Sequence, residues 1–332
     1  MPEAAESRQR FDYRGVTALI VDGNEFGREL TASISRRLRF GETFQASDAV
    51  TAFNYLKARD FDLVITDWSV PGISGDTFLR YIRTAPGVRN RHVAVVVMTA
   101  MTEKETVVAA RDAGSTEFVA RPIAILNLID RLAQTLTAPR PFIKTASFTG
   151  PDRRRRNIAW PGPERRSPAS PGMAGLSARN LSSMILRSSG MTQQELIAAA
   201  EDAVADEAAR YLEKRYADLE ALVDLVRSLK DRLEPVEQLL EQIYAKAKDI
   251  TGMGRTFGYP LLSEAGDLLC KMIWKQTDRT ACPPAIMQGI ETHTTVISLI
   301  VKQDIQGDGG DLGADLIEGL RELVEIAARA GS

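Results

Sequence analysis

The sequence contains few of the residues on which several classes of site depend. Its 332 residues include two cysteines, Cys270 and Cys282, and two histidines, His92 and His293. Two cysteines cannot form a disulfide framework, and two histidines all but exclude a zinc site built on imidazole ligands. The patterns G-x-G-x-x-G, G-x-x-x-x-G-K-[ST] and G-x-S-x-G are also absent. Their absence argues against a dinucleotide site, a P-loop and a serine-hydrolase site.

Long apolar runs are missing as well. No stretch approaches the roughly 18 apolar residues of a membrane-spanning helix, and the first residues, MPEAAESRQR, lack the apolar core of a signal peptide. We therefore expect no membrane span and a cytoplasmic location. With 44% hydrophobic residues, 26% charged residues and a net charge of −2, the chain has an ordinary globular composition. Its length predicts two domains.

Apolar, β-branched runs alternate with segments of helical periodicity between residues 15 and 136. The predicted strands are 16–21, 43–46, 61–66, 92–98 and 117–120, and the predicted helices are 25–38, 48–58, 75–83, 103–113 and 123–136. Ser47 and Thr102 are the predicted N-caps of the second and fourth helices. Five strands alternating with five helices predict an α/β fold with a doubly wound five-stranded parallel sheet of the flavodoxin-like type.

Polar residues follow four of these strands. Asp22, Asp67, Thr99 and the pair Arg121-Pro122 each stand at a predicted strand end. The carboxyl ends of parallel strands form one crevice, so we expect these side chains to converge. Two carboxylates, a hydroxyl and a fixed cation suit Mg²⁺ and a phosphoryl group. For Asp67 taken alone, capping of the following turn is an equally good interpretation.

Residues 15–136 resemble the receiver domain of two-component response regulators. The resemblance rests on the segment DWSVPGISG, which begins at Asp67, and on Arg121-Pro122, where the family has Lys-Pro. It implies that Asp67 accepts a phosphoryl group from a histidine, and that Asp22, Asp67 and the backbone carbonyl of Ser69 hold Mg²⁺. It also implies that Thr99 and Phe118 form the switch, and that Arg121 anchors the phosphoryl oxygens.

Two positions depart from the family pattern. Gly23 stands where the family has the second acid of an adjacent pair, so we expect weakened Mg²⁺ affinity. Arg121 replaces the usual lysine, and a planar guanidinium does not place its charge where a compact ammonium does.

Residues 1–14 are predicted to be an N-terminal tail, and residues 138–190 a flexible basic linker. The linker segment holds seven of the fifteen prolines and ten Lys or Arg against two acidic residues, a composition typical of disordered tethers. Its arginine run, residues 153–156, leaves open binding to nucleic acid or an anionic membrane surface. A solvated tether is favoured because no aromatic interleaving accompanies the charge.

From residue 191 to 332 the pattern predicts an all-α helical bundle. Thr192 and Glu195 form a capping box, and apolar residues recur at spacings of three and four between residues 212 and 250, with Pro235 starting a second helix. This seam leaves open a homodimer through the helical domain. His293 is interpreted as an exposed residue or as one that packs between helices.

The segment from Lys246 to Leu262 resembles the signature of histidine phosphotransfer (HPt) domains. Lys248 stands at the position of the phosphorylated histidine, and Thr251 at that of the lysine that neutralises the phosphate. A protonated lysine amine is a poor nucleophile at neutral pH. The resemblance therefore implies a degenerate HPt-like domain at 191–332 that docks receivers without transferring phosphate.

The predicted function is that of a two-component response regulator, not an enzyme, which accepts a phosphoryl group on Asp67 and signals through protein contacts in a phosphorelay. The expected partners are a histidine kinase or phosphotransfer protein as donor, and a downstream signalling protein or receiver. Two alternatives remain open. One is a phosphorylation-independent scaffold, and the other is an adaptor that uses the arginine run.

Overall fold

The computed structural model describes residues 9–99, 103–145, 148–153, 181–231, 233, 235–274 and 280–330. The chain divides into two compact units, residues 1–205 and 206–332. Within the described residues no helix is both long and apolar enough to span a membrane.

The first unit contains a parallel sheet of five strands flanked by five helices. In chain order, after a short strand β1 (Arg10–Phe11), these elements are β2 (Thr17–Val21), α1 (Glu25–Arg37), β3 (Glu42–Ala46), α2 (Ala49–Ala58), β4 (Leu63–Thr66), α3 (Gly75–Thr84), β5 (Ala94–Thr99), α4 (Lys104–Ala113), β6 (Glu117–Ala120) and α5 (Ile125–Thr137). The strands lie in the sheet in the order β3-β2-β4-β5-β6. All four residues of β4 are buried, as expected of an inner strand covered by helices on both faces. The predicted doubly wound sheet is confirmed.

Side-chain and glycine caps fix the helix ends of this unit. Asn24 caps α1, and Asp48 caps α2 by accepting a 2.8 Å hydrogen bond from the Thr51 backbone N–H. The prediction of Ser47 as the α2 cap is wrong, because the longer Asp48 carboxylate reaches both the backbone N–H and the hydroxyl of Thr51. Gly114 ends α4 with φ +102°, as a left-handed C-cap does. The predicted cap Thr102 lies outside the described residues.

The structure differs from the sequence prediction at both edges of this unit. Within the predicted tail, β1 (Arg10–Phe11) pairs antiparallel with β9 (Met191–Thr192). Within the predicted linker, β7 (Phe142–Lys144) and β8 (Thr149–Pro151) form a hairpin, and α6 spans Leu181–Ile185. These elements are two to five residues long, too short to show periodicity. Residues 154–180, with most of the arginine run, lie outside the described part of the chain; Arg153 pairs with Asp112 at 2.8 Å.

A buried arginine anchors the hairpin. Arg83, on α3, is 2% exposed and donates hydrogen bonds of 2.8–3.0 Å to the carbonyl oxygens of Gly114, Arg91 and Val93. Its guanidinium carbon lies 5.0 Å from the centroid of the Phe142 ring, within cation–π range. The hairpin therefore packs on the five-stranded sheet unit through a buried, hydrogen-bonded cation.

The second unit is helical, as predicted, over the residues that the structure describes. It comprises α7 (Gln193–Asp231) from residue 206 onward, α8 (Val236–Thr251), α9 (Pro260–Trp274), α10 (Pro284–Lys302) and α11 (Gly310–Ala330). The predicted capping box is present at the start of α7, with reciprocal hydrogen bonds of 2.7 and 3.2 Å between Thr192 and Glu195. His293 is fully buried, with Nδ1 2.7 Å from the Gly289 carbonyl oxygen. Of the two interpretations of this residue, packing between helices is therefore correct and exposure is wrong.

Candidate functional site

Four strand ends meet at one edge of the parallel sheet. Val21, the last residue of β2, is in register with Thr66, the last residue of β4; Thr99 of β5 is in register with Ala120 of β6. Asp22, Asp67 and Arg121 each follow one of these strands directly. Register alone therefore places the three charged side chains and Thr99 on the same rim.

Asp67 lies half-buried in this crevice. Its backbone N–H donates to the Val21 carbonyl at 2.9 Å, which ties the residue to the end of β2. The Thr99 hydroxyl and the Trp68 backbone N–H both donate to its carboxylate. Burial, together with the charge of Asp22, raises the pKa of Asp67, whereas the charge of Arg121 and these hydrogen bonds oppose the rise.

Asp22 and Arg121 form a buried ion pair. Arg121 Nη2 lies 2.6 Å from Asp22 Oδ2, and the two side chains are 9% and 3% exposed. The other carboxylate oxygen, Oδ1, accepts the Asn24 backbone N–H at 2.8 Å. Burial by itself lowers the pKa of Arg121, but the charges of Asp22 and Asp67 raise it above its ordinary value. Both oxygens of Asp22 are therefore engaged by donors of the chain itself.

Gly27, on the first turn of α1, makes room for this ion pair. A Cβ added at residue 27 would lie 2.5 Å from Asp22 Oδ2 and 3.2 Å from both terminal nitrogens of Arg121. Sequence reasoning did not identify Gly27 or the cap Asn24 as part of the site. The available signal was a glycine inside a helix, where it is unfavourable by about 1 kcal/mol and requires a packing reason.

The other predicted site residues surround the crevice without entering the ion pair. Ser69 is exposed, two residues after Asp67. Phe118 is partly buried and packs against the core cluster of the sheet. The indole of Trp68 covers Gly75, where an added Cβ would lie 2.6 Å from its ring atoms.

The donor set does not fit Mg²⁺. This ion requires near-octahedral oxygen ligands, and the predicted set was Asp22, Asp67 and the Ser69 carbonyl. Both Asp22 oxygens already accept hydrogen bonds, and Gly23 supplies no carboxylate. Among the residues that the structure describes, no group of three or more His, Cys, Asp or Glu side chains is arranged to hold a metal.

The HPt-like segment lies on α8 in the second unit. Lys248 is half-buried there, and its charge lowers the pKa values of Asp267 and Cys270 on α9, although burial raises both overall. Thr251 is 1% exposed and donates to the Ala247 carbonyl at 2.8 Å. It also packs so closely on α9 that a Cβ added at Gly266 would lie 2.0 Å from it. Thr251 is thus a packing residue, not a surface group able to meet a phosphate.

Comparison with known proteins identifies the first unit. Residues 18–133 match the family described as response regulator receiver domain. Chemotaxis protein CheY-3 of Vibrio cholerae is 33% identical over 119 residues, which cover 36% of this chain and 90% of that protein. Chemotaxis protein CheY of Pseudomonas aeruginosa is 32% identical over 114 residues, which cover 34% of this chain and 90% of that protein.

One solved structure in the comparison is the receiver domain of sensor histidine kinase PA1611 from Pseudomonas aeruginosa, with a magnesium ion coordinated in its active site cleft. It is 22% identical, with a TM-score of 0.33, over 36% of this chain and 95% of that chain. The sheet order and the carboxylate after β4 are consistent with this family, and so is the sequence identity to the CheY proteins. The chain belongs to the response regulator receiver domain family.

Proposed function

We propose that Asp67 is the phosphoacceptor of this response regulator. The observation that carries the proposal is the environment of the Asp67 carboxylate. This group follows the end of β4, accepts a hydrogen bond from the Thr99 hydroxyl, and interacts electrostatically with the Arg121 guanidinium. A carboxylate oxygen of Asp67 bonds to phosphorus as the bond from phosphorus to the donor's leaving group breaks, and the leaving group departs with the electron pair. Such transfer depends chiefly on positioning and charge neutralisation, which Thr99 and Arg121 supply.

The conformational change that follows modification of Asp67 is transmitted through β5 and β6. Thr99, which hydrogen-bonds the free carboxylate, exchanges this partner for a phosphoryl oxygen once Asp67 is modified. Phe118 lies on β6 opposite Val97 of β5 and packs against the same core. Val97 is two residues before Thr99 on the same strand, so a shift of β5 at Thr99 changes the packing of Phe118. The proposed partners are a histidine kinase or phosphotransfer protein as donor and a downstream signalling protein or receiver as target. In this role the chain is a phosphoacceptor and not an enzyme with a released product.

Phosphorylation by a small donor tests the proposal. The purified chain is incubated with acetyl phosphate or phosphoramidate in millimolar Mg²⁺, and intact mass is measured, with Asp67→Asn as the matched control. We expect one added phosphoryl group that survives acid, is removed by hydroxylamine, and is absent from the control. A wild-type chain that stays unmodified contradicts the proposal and favours the phosphorylation-independent scaffold.

We further propose that residues 206–332 form a degenerate HPt-like module that docks a receiver. Lys248, half-buried on α8 at the position of the histidine, and the inward-facing Thr251 support docking without phosphotransfer. Reversing the charge with Lys248→Glu is expected to weaken binding of the full chain to a purified single-domain receiver, because the receiver crevice is acidic. Lys271→Glu, at an exposed position of α9, is the matched control. Equal affinities of the two variants, measured by titration calorimetry, would refute this role.

A further inference from the structure

We infer that the guanidinium of Arg121 takes the place of a divalent metal ion in this receiver, so that phosphoryl transfer to Asp67 proceeds without Mg²⁺. The inference rests on the proposed phosphoacceptor function of Asp67 and specifies the cation on which that function depends.

Both oxygens of the Asp22 carboxylate already contact donors of the chain. The Asp22 carboxylate is directed at a cation of the chain, with 2.6 Å between its Oδ2 and Arg121 Nη2, and its other oxygen is engaged by the Asn24 N–H. A metal ion that bound Asp22 would have to displace its charge-assisted contact with Arg121, whose two side chains are almost completely buried. Such pairs are strong because few water molecules compete for them.

Two glycines near the crevice leave room for the guanidinium and not for a second acid. Gly27 leaves the space that Arg121 fills, since any Cβ there would approach both terminal nitrogens. At residue 23, an added Cβ would lie 2.5 Å from Cγ of Pro71. A second acid at residue 23 therefore has no room while Pro71 keeps its place. Two independent positions thus favour arginine and disfavour a metal ligand.

Arg121 also retains donors for an incoming phosphoryl group. Its Nη2 binds Asp22, whereas its Nε–H is buried and finds no hydrogen-bond partner among the described residues. A buried donor without a partner is costly unless a ligand meets it. A planar guanidinium can hold one carboxylate and donate to phosphoryl oxygens with its remaining N–H groups. Its charge acts on Asp67, the site of transfer.

The test measures phosphorylation and metal binding separately on the full chain. Phosphorylation by acetyl phosphate is followed by intact mass in excess EDTA and in millimolar Mg²⁺, for the wild type, Arg121→Ala and Asp67→Asn. Mg²⁺ binding is followed by the fluorescence of Trp68, in a background with Trp160→Phe and Trp274→Phe. Because the comparison of EDTA with Mg²⁺ uses the wild type, it does not depend on whether Arg121→Ala folds.

We expect the wild type to be phosphorylated at the same rate in both conditions and to show no saturable fluorescence change with Mg²⁺. Arg121→Ala is expected to lose about 100-fold in rate, the typical effect of removing one stabilising donor. Phosphorylation that requires Mg²⁺ overturns the inference and leaves the proposed function standing. A wild type that is unmodified in both conditions overturns the proposed function, and the inference with it.

Discussion

Replacement of Gly27 by alanine tests the packing of the receiver site most directly. An alanine in a helix is ordinarily about 1 kcal/mol more favourable than a glycine. At residue 27, however, the added Cβ would lie 2.5 Å from Asp22 Oδ2, a distance that requires atoms to move. The atoms that must move belong to an ion pair with side chains 9% and 3% exposed.

The size of the effect follows from these two opposing contributions. Breaking a buried ion pair costs about 3–5 kcal/mol, and the helix preference of alanine returns about 1 kcal/mol. Gly27→Ala is therefore expected to lower the free energy of unfolding of the receiver unit by about 2–4 kcal/mol. Because the added Cβ would also lie 3.2 Å from both terminal nitrogens of Arg121, phosphorylation of Asp67 in EDTA is expected to slow in the same variant.

Urea unfolding measures the change. Trp68 fluorescence, in the background without the other two tryptophans, reports the receiver unit alone. The control is Gly319→Ala on α11, where an added Cβ meets nothing within 4 Å. With Trp274 as the sole tryptophan reporting the helical unit, we expect this change to stabilise that unit by up to about 1 kcal/mol. A Gly27→Ala variant as stable as the wild type would show that the crevice is not closely packed around Arg121.

Three further predictions concern the rest of the chain. Arg83→Met is expected to destabilise the first unit by about 3–5 kcal/mol, because it leaves buried carbonyls without donors. The same change should expose the hairpin of residues 142–151 to limited proteolysis. The control Arg80→Met, at an exposed site of the same helix, should change stability by less than about 1 kcal/mol. Burial raises the pKa of Cys270 to about 12, so alkylation by iodoacetamide at pH 8 should be about 1000-fold slower in the folded chain than in urea, and equal rates would contradict this burial. The Arg14 guanidinium holds the pKa of Asp12 well below its ordinary value. The stabilising contribution of this carboxylate is therefore present above about pH 4 and lost as the pH falls further. The difference in unfolding free energy between the wild type and Asp12→Asn should shrink as the pH falls below about 4, and a constant difference would exclude the Asp12–Arg14 pair as its source.

Short-range patterns accounted for most of the fold. The apolar run at residues 61–66 identified the inner strand because a strand covered on both faces needs no polar alternation. The capping box at Thr192 and the C-cap Gly114 were recognisable because the groups that they satisfy lie within a few residues of each cap. The hairpin of residues 142–151 and the pairing of β1 with β9 were not recognisable. Their stability comes from contacts between distant segments, such as Phe142 on Arg83, and not from their own periodicity.

The candidate site divides in the same way. Local patterns identified the residues that stand at the strand ends, Asp22, Asp67, Thr99 and Arg121, since each strand ends where an apolar run gives way to polar or turn residues. The interactions among these residues depend on the tertiary structure. It paired Arg121 with Asp22 across 99 positions of sequence, with Gly27 providing the space. Such a pairing depends on side-chain volume and burial at a meeting point of several segments, and no local pattern carries that information.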